Sequence, residues 1–561
     1  MIDSAACLRL LQSNDSTASE IVAPVGFEDV SLAVKRLQML AGDDSARQAL
    51  AETLPALLSA LAESAAPDAS LLNFERLVQT ADDRGELFDY LAANPRAVEI
   101  LVRLFVGSQF LTEILLRNPR YLRQLVASKR LAEFKSRGEF FEAGRLACEA
   151  VDGVTEQINA LRRFQQWELM RLAACDAFGL MDLKTVTLQL ALLADSLVQN
   201  CLAVTCADLG IEADDFAVLA FGKLGGEELN YSSDIDLVFV CERGAERYWG
   251  LGQKLIKAIS ESTAEGFLYR VDMRLRPWGN SGALITTCDG YYDYLKQHGR
   301  RWEKQALLKA RVIAGNLDVG RELLRRLDPI VFDITEDEAR ANVLEMKRKI
   351  EEHLKQSGRE WGEVKAGQGS IRDVEFVTQF LQLAHGRTVP EVRSPNTLDG
   401  LVRLADLGIL EGDEYRRLSS GYICLRTIEH ALQIMHNKQV HSLPDNVRDL
   451  AYLARRLDFP GPLEFRRHYD QHCRAIRATF EKYILLSPED RAASVNRTPP
   501  SVATHLGEAA ASYEELFDAQ QTERHLWLLN ELDEQQGVKT DVAALADRRW
   551  ELTVVGYDQL G

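Results

Sequence analysis

Residues 216–240 read Phe-Ala-Val-Leu-Ala-Phe-Gly-Lys-Leu-Gly-Gly-Glu-Glu-Leu-Asn-Tyr-Ser-Ser-Asp-Ile-Asp-Leu-Val-Phe-Val. An apolar run stops at a glycine-rich turn, and a second apolar run opens with two aspartates one residue apart. The pattern predicts strand, turn and strand over 216–221 and 235–240. Side chains alternate between the faces of a strand, so Asp234 and Asp236 project to the same side. Two fixed carboxylates beside a glycine-rich turn suit Mg²⁺ and a polyphosphate, a layout that points to nucleotidyl transfer.

The surroundings of this unit are helical. From the start to about residue 210, Leu and Ala recur at three- and four-residue spacing and Pro is sparse. A break is expected at Asn118-Pro119, and a long helix over 187–204 leads into the motif. A third strand is predicted over 267–275, with a helix over 248–264 before it, and 336–486 returns to a helical pattern. Ser487-Pro-Glu-Asp-Arg and Asn496-Arg-Thr-Pro-Pro-Ser501 look like a linker. One or two helices are expected over 513–536. The apolar run near Gly561 suggests that the natural chain continues. The expected class is α+β: mostly helical, with a small mixed-sheet nucleotidyltransferase core flanked by helical domains. The boundaries are an N-terminal helical domain at 1–165, the nucleotidyltransferase domain at 166–330, a helical bundle at 331–490, and a linker with C-terminal segment at 491–561. A length of 561 residues allows roughly three to five domains.

Charge narrows the partners. The chain has 66 basic and 84 acidic side chains, a net charge of −18. A general nucleic-acid binder needs a basic face, so none is expected. The nine cysteines are scattered without a Cys-x-x-Cys pair, which fits reduced thiols and a cytoplasmic protein. No basic n-region precedes an apolar stretch at the N-terminus, so no signal peptide is expected. No window reads as an uncharged membrane span, so no membrane partner is expected.

Two metals held by shared carboxylates can stabilise both the attacking and the leaving oxygen of a phosphoryl centre. A third acid should come from a neighbouring strand, and Asp272 in Tyr269-Arg-Val-Asp-Met-Arg-Leu-Arg-Pro277 is the candidate. Alternation puts Asp272, Arg274 and Arg276 on one face, where the arginines could grip phosphate oxygens bidentately. The glycines of Gly222-Lys-Leu-Gly-Gly226 would let backbone N–H groups approach phosphate, with Lys223 adding charge. This is not a Walker A loop. Alone, an Asp-x-Asp usually marks a solvated turn or cap, and a Gly-Gly usually marks a turn. The ordered set of strand, turn, paired acids and third acid is what carries the reading.

With those residues in hand, 222–240 resembles the signature of the bifunctional glutamine synthetase adenylyltransferase/adenylyl-removing enzyme family, within the DNA polymerase beta-like nucleotidyltransferase superfamily. The likeness continues through Val271-Asp-Met-Arg-Leu-Arg-Pro-Trp-Gly-Asn-Ser-Gly282, Arg301-Trp-Glu-Lys-Gln-Ala-Leu-Leu-Lys-Ala-Arg311, Gly369-Ser-Ile-Arg-Asp-Val-Glu-Phe376 and Leu425-Arg-Thr-Ile-Glu-His-Ala-Leu-Gln433. It covers about residues 70 to 485. The resemblance implies transfer of AMP to a tyrosine of glutamine synthetase with ATP, or its removal with phosphate to give ADP, in control of nitrogen assimilation. It implies Asp234, Asp236 and Asp272 as catalytic Mg²⁺ ligands. Gly222, Lys223, Gly225, Gly226, Ser233, Arg274 and Arg276 would line the nucleotide. Glutamine synthetase is the implied partner, with the PII signalling protein as a further one.

Two departures stand out. Family members carry two such catalytic halves and this chain shows one, with features of both, so the direction of reaction stays open. Ser370 replaces a glycine usual in the family, and either caps a helix or crowds a phosphate contact. Arg301, Trp302 and Glu303 either frame a nucleotide or pack a helix. Ile371, Val374, Val377 and Leu381 form a buried stripe, with Arg372, Asp373 and Glu375 turned away from it. His468 and His472 have metal-like spacing but no evident partner ligand, and His430, His436 and His441 read as surface or packing residues. Two rivals remain: the same chemistry on another protein or a small molecule, and a non-catalytic nucleotide or PII sensor. The three acids argue against the sensor.

Overall fold

Helix follows helix from Ser4–Gln12 to Leu183–Leu209, and the local chemistry sets their ends. Asp43, Asp83 and Ser108 each accept a hydrogen bond from a first-turn N–H of the helix that follows. Each such cap is worth about 1 kcal/mol. The break at Asn118-Pro119 falls where expected, between helices Gln109–Arg117 and Arg120–Ala127. The computed structural model describes residues 3–486, apart from 13–15, 129, 360 and 437–439. The expectations for 491–561, including a linker and helices over 513–536, lie outside the described residues. So does the side chain of His436.

Leu183–Leu209 is the helix expected over 187–204, longer at both ends. Asp182 caps its start by accepting from the Thr185 N–H, and Gly210 ends it in the left-handed region at φ 59°. By length and composition it could cross a membrane, but 67% of its most apolar window is buried inside the molecule. It is a core helix here, with Leu190, Leu193, Leu197 and Cys201 fully or almost fully enclosed.

The sheet has five strands: β1 (Phe216–Phe221), β2 (Ile235–Cys241), β3 (Val271–Asp272), β4 (Ile285–Thr287) and β5 (Arg311–Gly315). The order is β3-β2-β1-β5, and β4 also pairs with β2. β1 is antiparallel to β2 and β5, while β3 and β4 run parallel to β2, so the sheet is mixed as expected. Every residue of β1 is buried, because both faces are covered. Phe216, Val218 and Ala220 face a core shared with the N-terminal helices. Ala217, Leu219 and Phe221 face a second core built with helices Cys288–His298, Leu317–Val331, Ile371–His385 and Gly412–His436. Arg311 on β5 bonds both oxygens of buried Asp195 at 2.5 and 3.1 Å, tying the sheet to Leu183–Leu209. The described residues are mostly helical with one small mixed sheet, the class read from the sequence.

Two differences concern the strands. The strand expected over 267–275 shrinks to Val271–Asp272, because Arg276 turns back to bond the carbonyls of Met273, Asn280 and Gly282 and closes a loop. β4 and β5 were not anticipated; each is only a few residues long, and each adjoins a helix, so neither shows a sustained period of two.

Candidate active site

The structure brings the three acids together at one end of the sheet. Asp236 on β2 stands in register with Asp272 on β3, so both carboxylates leave the same face about 5 Å apart along the hydrogen-bonding direction. Asp234 lies one residue before β2. Its carboxylate is ion-paired with the Arg270 Nε, and Arg270 also donates to the Ser232 carbonyl at 2.6 Å. Asp272 accepts from the Arg274 backbone N–H at 2.8 Å and from its Nε at 2.8 Å. Those bonds hold the Asp272 carboxyl below its ordinary range.

Asp236 behaves in the opposite way. Burial, then the neighbouring carboxylates of Asp272 and Asp234, push it up to about 6. The positive charges of Lys365 and Arg274 act against this rise. A cluster that resists full ionisation on its own is one that an added cation would relieve. Its donors are all carboxylate oxygens, the set suited to hard ions such as Mg²⁺ or Mn²⁺.

The glycine turn is shaped by the protein around it. Gly222 begins a one-turn helix, Gly222–Gly225, at a left-handed φ of 58°. A Cβ there would strike the Asp236 carboxylate. Gly222 therefore reverses the chain and also lets the carboxylate lie against the backbone. Gly225 and Gly226 sit under other carbonyls, where a Cβ would meet Ala220 O at 2.7 Å and Pro395 O at 2.9 Å respectively.

Lys223 points its ammonium at protein. Its Nζ lies 2.8 Å from the buried Glu429 carboxylate. Burial pushes Lys223 down to about 8, with Glu429 opposing. Burial also works against ionising Glu429, but Lys223, His441 and Arg426 more than offset it and hold Glu429 well below the ordinary carboxylate range. The pair is ionised at neutral pH. Ser233 is buried in the turn ahead of β2 and, with Arg270, lines a cavity of about 300 Å³ that none of the three acids lines. Arg274 remains at the acids, whereas the Arg276 guanidinium is committed to its loop carbonyls.

Around the turn runs a buried polar network that sequence reading missed. Asn230 donates to Glu429 at 2.9 Å. Arg426 donates to Asn230 Oδ1 at 2.8 Å and to the Glu228 carbonyl at 2.7 Å. Glu228 accepts from Tyr422 at 2.8 Å and from Lys309 at 3.1 Å. The block 425–433 thus presents Arg426 and Glu429 to the segment joining the two central strands. His441 joins the network too, 3.2 Å from Glu429, and His430 lies 3.2 Å from Asp176. Lys365 is a further residue missed; a lone basic side chain in a loop gives no pattern to find.

Other expectations resolve individually. Ile371, Val374, Val377 and Leu381 are buried as a stripe. Asp373 is not turned away from the interior. It is fully buried, ion-paired with Lys347 and accepting from the Gly369 N–H at 2.8 Å. Ser370 precedes helix Ile371–His385 without capping it, and its buried hydroxyl has no hydrogen-bond partner among the described residues. Glu303 accepts from Tyr294 at 2.7 Å and Arg301 pairs with Glu338 at 3.4 Å, contacts of helix packing. All nine cysteines are free thiols.

Comparison with known proteins decides the relationship. A family model described as glutamate-ammonia ligase adenylyltransferase matches residues 98–326, the span that carries the sheet and all three acids. Another, described as GlnD PII-uridylyltransferase, matches residues 344–484. The bifunctional glutamine synthetase adenylyltransferase/adenylyl-removing enzyme of Streptomyces avermitilis is 35% identical over 473 residues, 82% of this chain and 46% of that protein. Residues 98–326 belong to the glutamine synthetase adenylyltransferase family. The member from Thioalkalivibrio sulfidiphilus is 34% identical over 416 residues, 70% of this chain and 43% of that protein. The member from Pseudomonas syringae pv. tomato is 35% identical over 383 residues, 64% of this chain and 39% of that protein. The chain thus spans less than half the length of these family members.

Proposed function

We propose that this chain is a divalent-cation-dependent nucleotidyltransferase acting on glutamine synthetase, performing one half-reaction of the cycle named for its relatives. That half-reaction is AMP attachment to a tyrosine from ATP, or AMP removal by phosphate. The observation that carries the reading is the in-register placement of Asp236 and Asp272 beside Asp234 and the Gly222 turn. Together with the names of the relatives, it supports Asp234, Asp236 and Asp272 as the ligands of Mg²⁺.

An Mg²⁺ held by Asp234, Asp236 and Asp272 would supply neutralisation of the polyphosphate charge and alignment for in-line attack. The chain's own residues do the rest. Asp272, held ionised, accepts a hydrogen bond from the attacking group. Gly222 keeps the backbone clear of the Asp236 carboxylate. Arg274, whose side chain is 73% exposed, exchanges Asp272 for a phosphate oxygen. Lys223 and Glu429 brace the turn from beneath. The match of 344–484 to a PII-uridylyltransferase model supports the C-terminal helices as the part that meets a PII-type regulator.

Replacing Arg274 with Ala is expected to lower kcat/KM by ~10- to 100-fold, the worth of a charged hydrogen bond, mainly through KM for the nucleotide or phosphate. Steady-state kinetics in both directions read this, and an unchanged KM removes Arg274 from the phosphate site. The functional reading is tested by incubating the chain with purified glutamine synthetase, labelled ATP and Mg²⁺. A parallel arm offers adenylylated glutamine synthetase and phosphate. Label on the enzyme, or ADP release, is expected; silence in both arms contradicts the proposal.

A further inference from the structure

The spacing of His468 and His472 puts both imidazoles on one face of helix Pro462–Phe480. The fold supplies the partner that the sequence alone did not show. Helix Gly412–His436 packs against this face so closely that a Cβ on Gly421 would lie 2.7 Å from Ile476 and 3.7 Å from His472 Nδ1. It delivers Cys424 to the histidines. The Cys424 Sγ and one nitrogen of each imidazole all lie within 4.8 Å of one another. The two Nε2 atoms are 3.2 Å apart, with ring planes at 78°.

We propose that Cys424, His468 and His472 form a binding site for a borderline-soft divalent cation of the zinc class, independent of the acids at the sheet. Tetrahedral bonds of ~2.05 Å place two ligand nitrogens about 3.3 Å apart, close to the spacing found. Two Nε2 atoms this near cannot both carry a proton toward each other, so at least one lone pair already faces the shared space. One thiol and two imidazoles select Zn²⁺ over Mg²⁺, which takes oxygen ligands. Three protein ligands leave a fourth position for water, and the residues are half-buried, so an ion can enter. On binding, the Cys424 S–H bond is exchanged for a sulfur–metal bond and one proton leaves to solvent. Each histidine stays neutral with its proton on Nδ1. The ion would pin the two helices together, and helix Gly412–His436 carries Arg426 and Glu429, which hold the glycine turn.

The test uses the whole chain stripped with a chelator and titrated with Co²⁺ in excess Mg²⁺, which keeps carboxylate sites occupied. One Co²⁺ per chain is expected, with a thiolate-to-cobalt charge-transfer band and strong visible bands of a four-coordinate ion, all displaced by Zn²⁺. Cys424→Ser should lose the charge-transfer band, and His472→Gln should weaken Zn²⁺ binding by at least ~100-fold. Far-UV circular dichroism establishes that each variant is folded. The unsubstituted chain gives an independent readout, since Zn²⁺ should protect Cys424 from alkylation by iodoacetamide, followed by mass spectrometry. A cobalt spectrum without the thiolate band, an unchanged band in folded Cys424→Ser, or equal alkylation with and without Zn²⁺ overturns the proposal.

Discussion

Asp236→Asn is expected to lower AMP transfer or removal by on the order of 10³-fold while making the cation-free protein more stable. The two effects share one cause. Asp236 sits against Gly222 and in register with Asp272, with Asp234 close by. Burial and like charge raise its carboxyl to about 6. A raised carboxyl binds protons more tightly in the folded chain than in the unfolded one. Its ionisation therefore costs stability as pH rises from about 4 through about 6, and the cost persists above that. A neutral Asn removes it, for a gain of ~3 kcal/mol near neutral pH in a chelator and none below about pH 4. Denaturant unfolding at the two pH values measures the difference. Added Mg²⁺ should stabilise the parent chain but much less the variant. Equal stability of the two proteins at both pH values would contradict the picture of three crowded carboxylates.

Glu429→Ala should destabilise the fold by about 3–5 kcal/mol, the range for removing one member of a buried charged network. The carboxylate is fully buried and accepts from Lys223 and Asn230, with Arg426 3.3 Å and His441 3.2 Å away. Without it, the Lys223 ammonium, already weakened by burial, has lost its acid and should give up its proton. The turn that sets Gly222 against Asp236 then loses its brace from below, so kcat should fall in the folded fraction although Glu429 touches no substrate. Glu429→Gln, which retains an acceptor for Asn230, should cost less. Urea unfolding with kinetics on the surviving enzyme separates the two effects. A loss below about 1 kcal/mol would show that Arg426 and Glu228 hold the turn without it.

These two residues also mark what a single sequence could reveal. Asp236 was legible because its neighbourhood is local: apolar run, glycines and paired acids fall within one stretch of chain, and strand alternation fixes which side chains share a face. Asp272 was reachable by the same rule applied to the next strand. Glu429 was not, because it meets Lys223 across a sequence separation of 206 residues and nothing local to either signals the other. Arg276 misled for a different reason. Alternation places it beside Asp272 only while the strand lasts, and the strand ends where Arg276 itself begins to bond loop carbonyls. Lys223 looked like a phosphate ligand by its place among glycines, but burial gave it a carboxylate partner instead. Cys424 shows the same limit as Glu429, since the spacing of the two histidines was visible and the third ligand came from another helix.

The most direct test of the central claim is diffraction from crystals soaked in Mn²⁺ and a non-hydrolysable ATP analogue, with data collected at the manganese edge. Anomalous density is expected between Asp236 and Asp272, within bonding distance of Asp234 as well, with the triphosphate beside Gly222. Manganese bound elsewhere while these three carboxylates remain without an ion would contradict it.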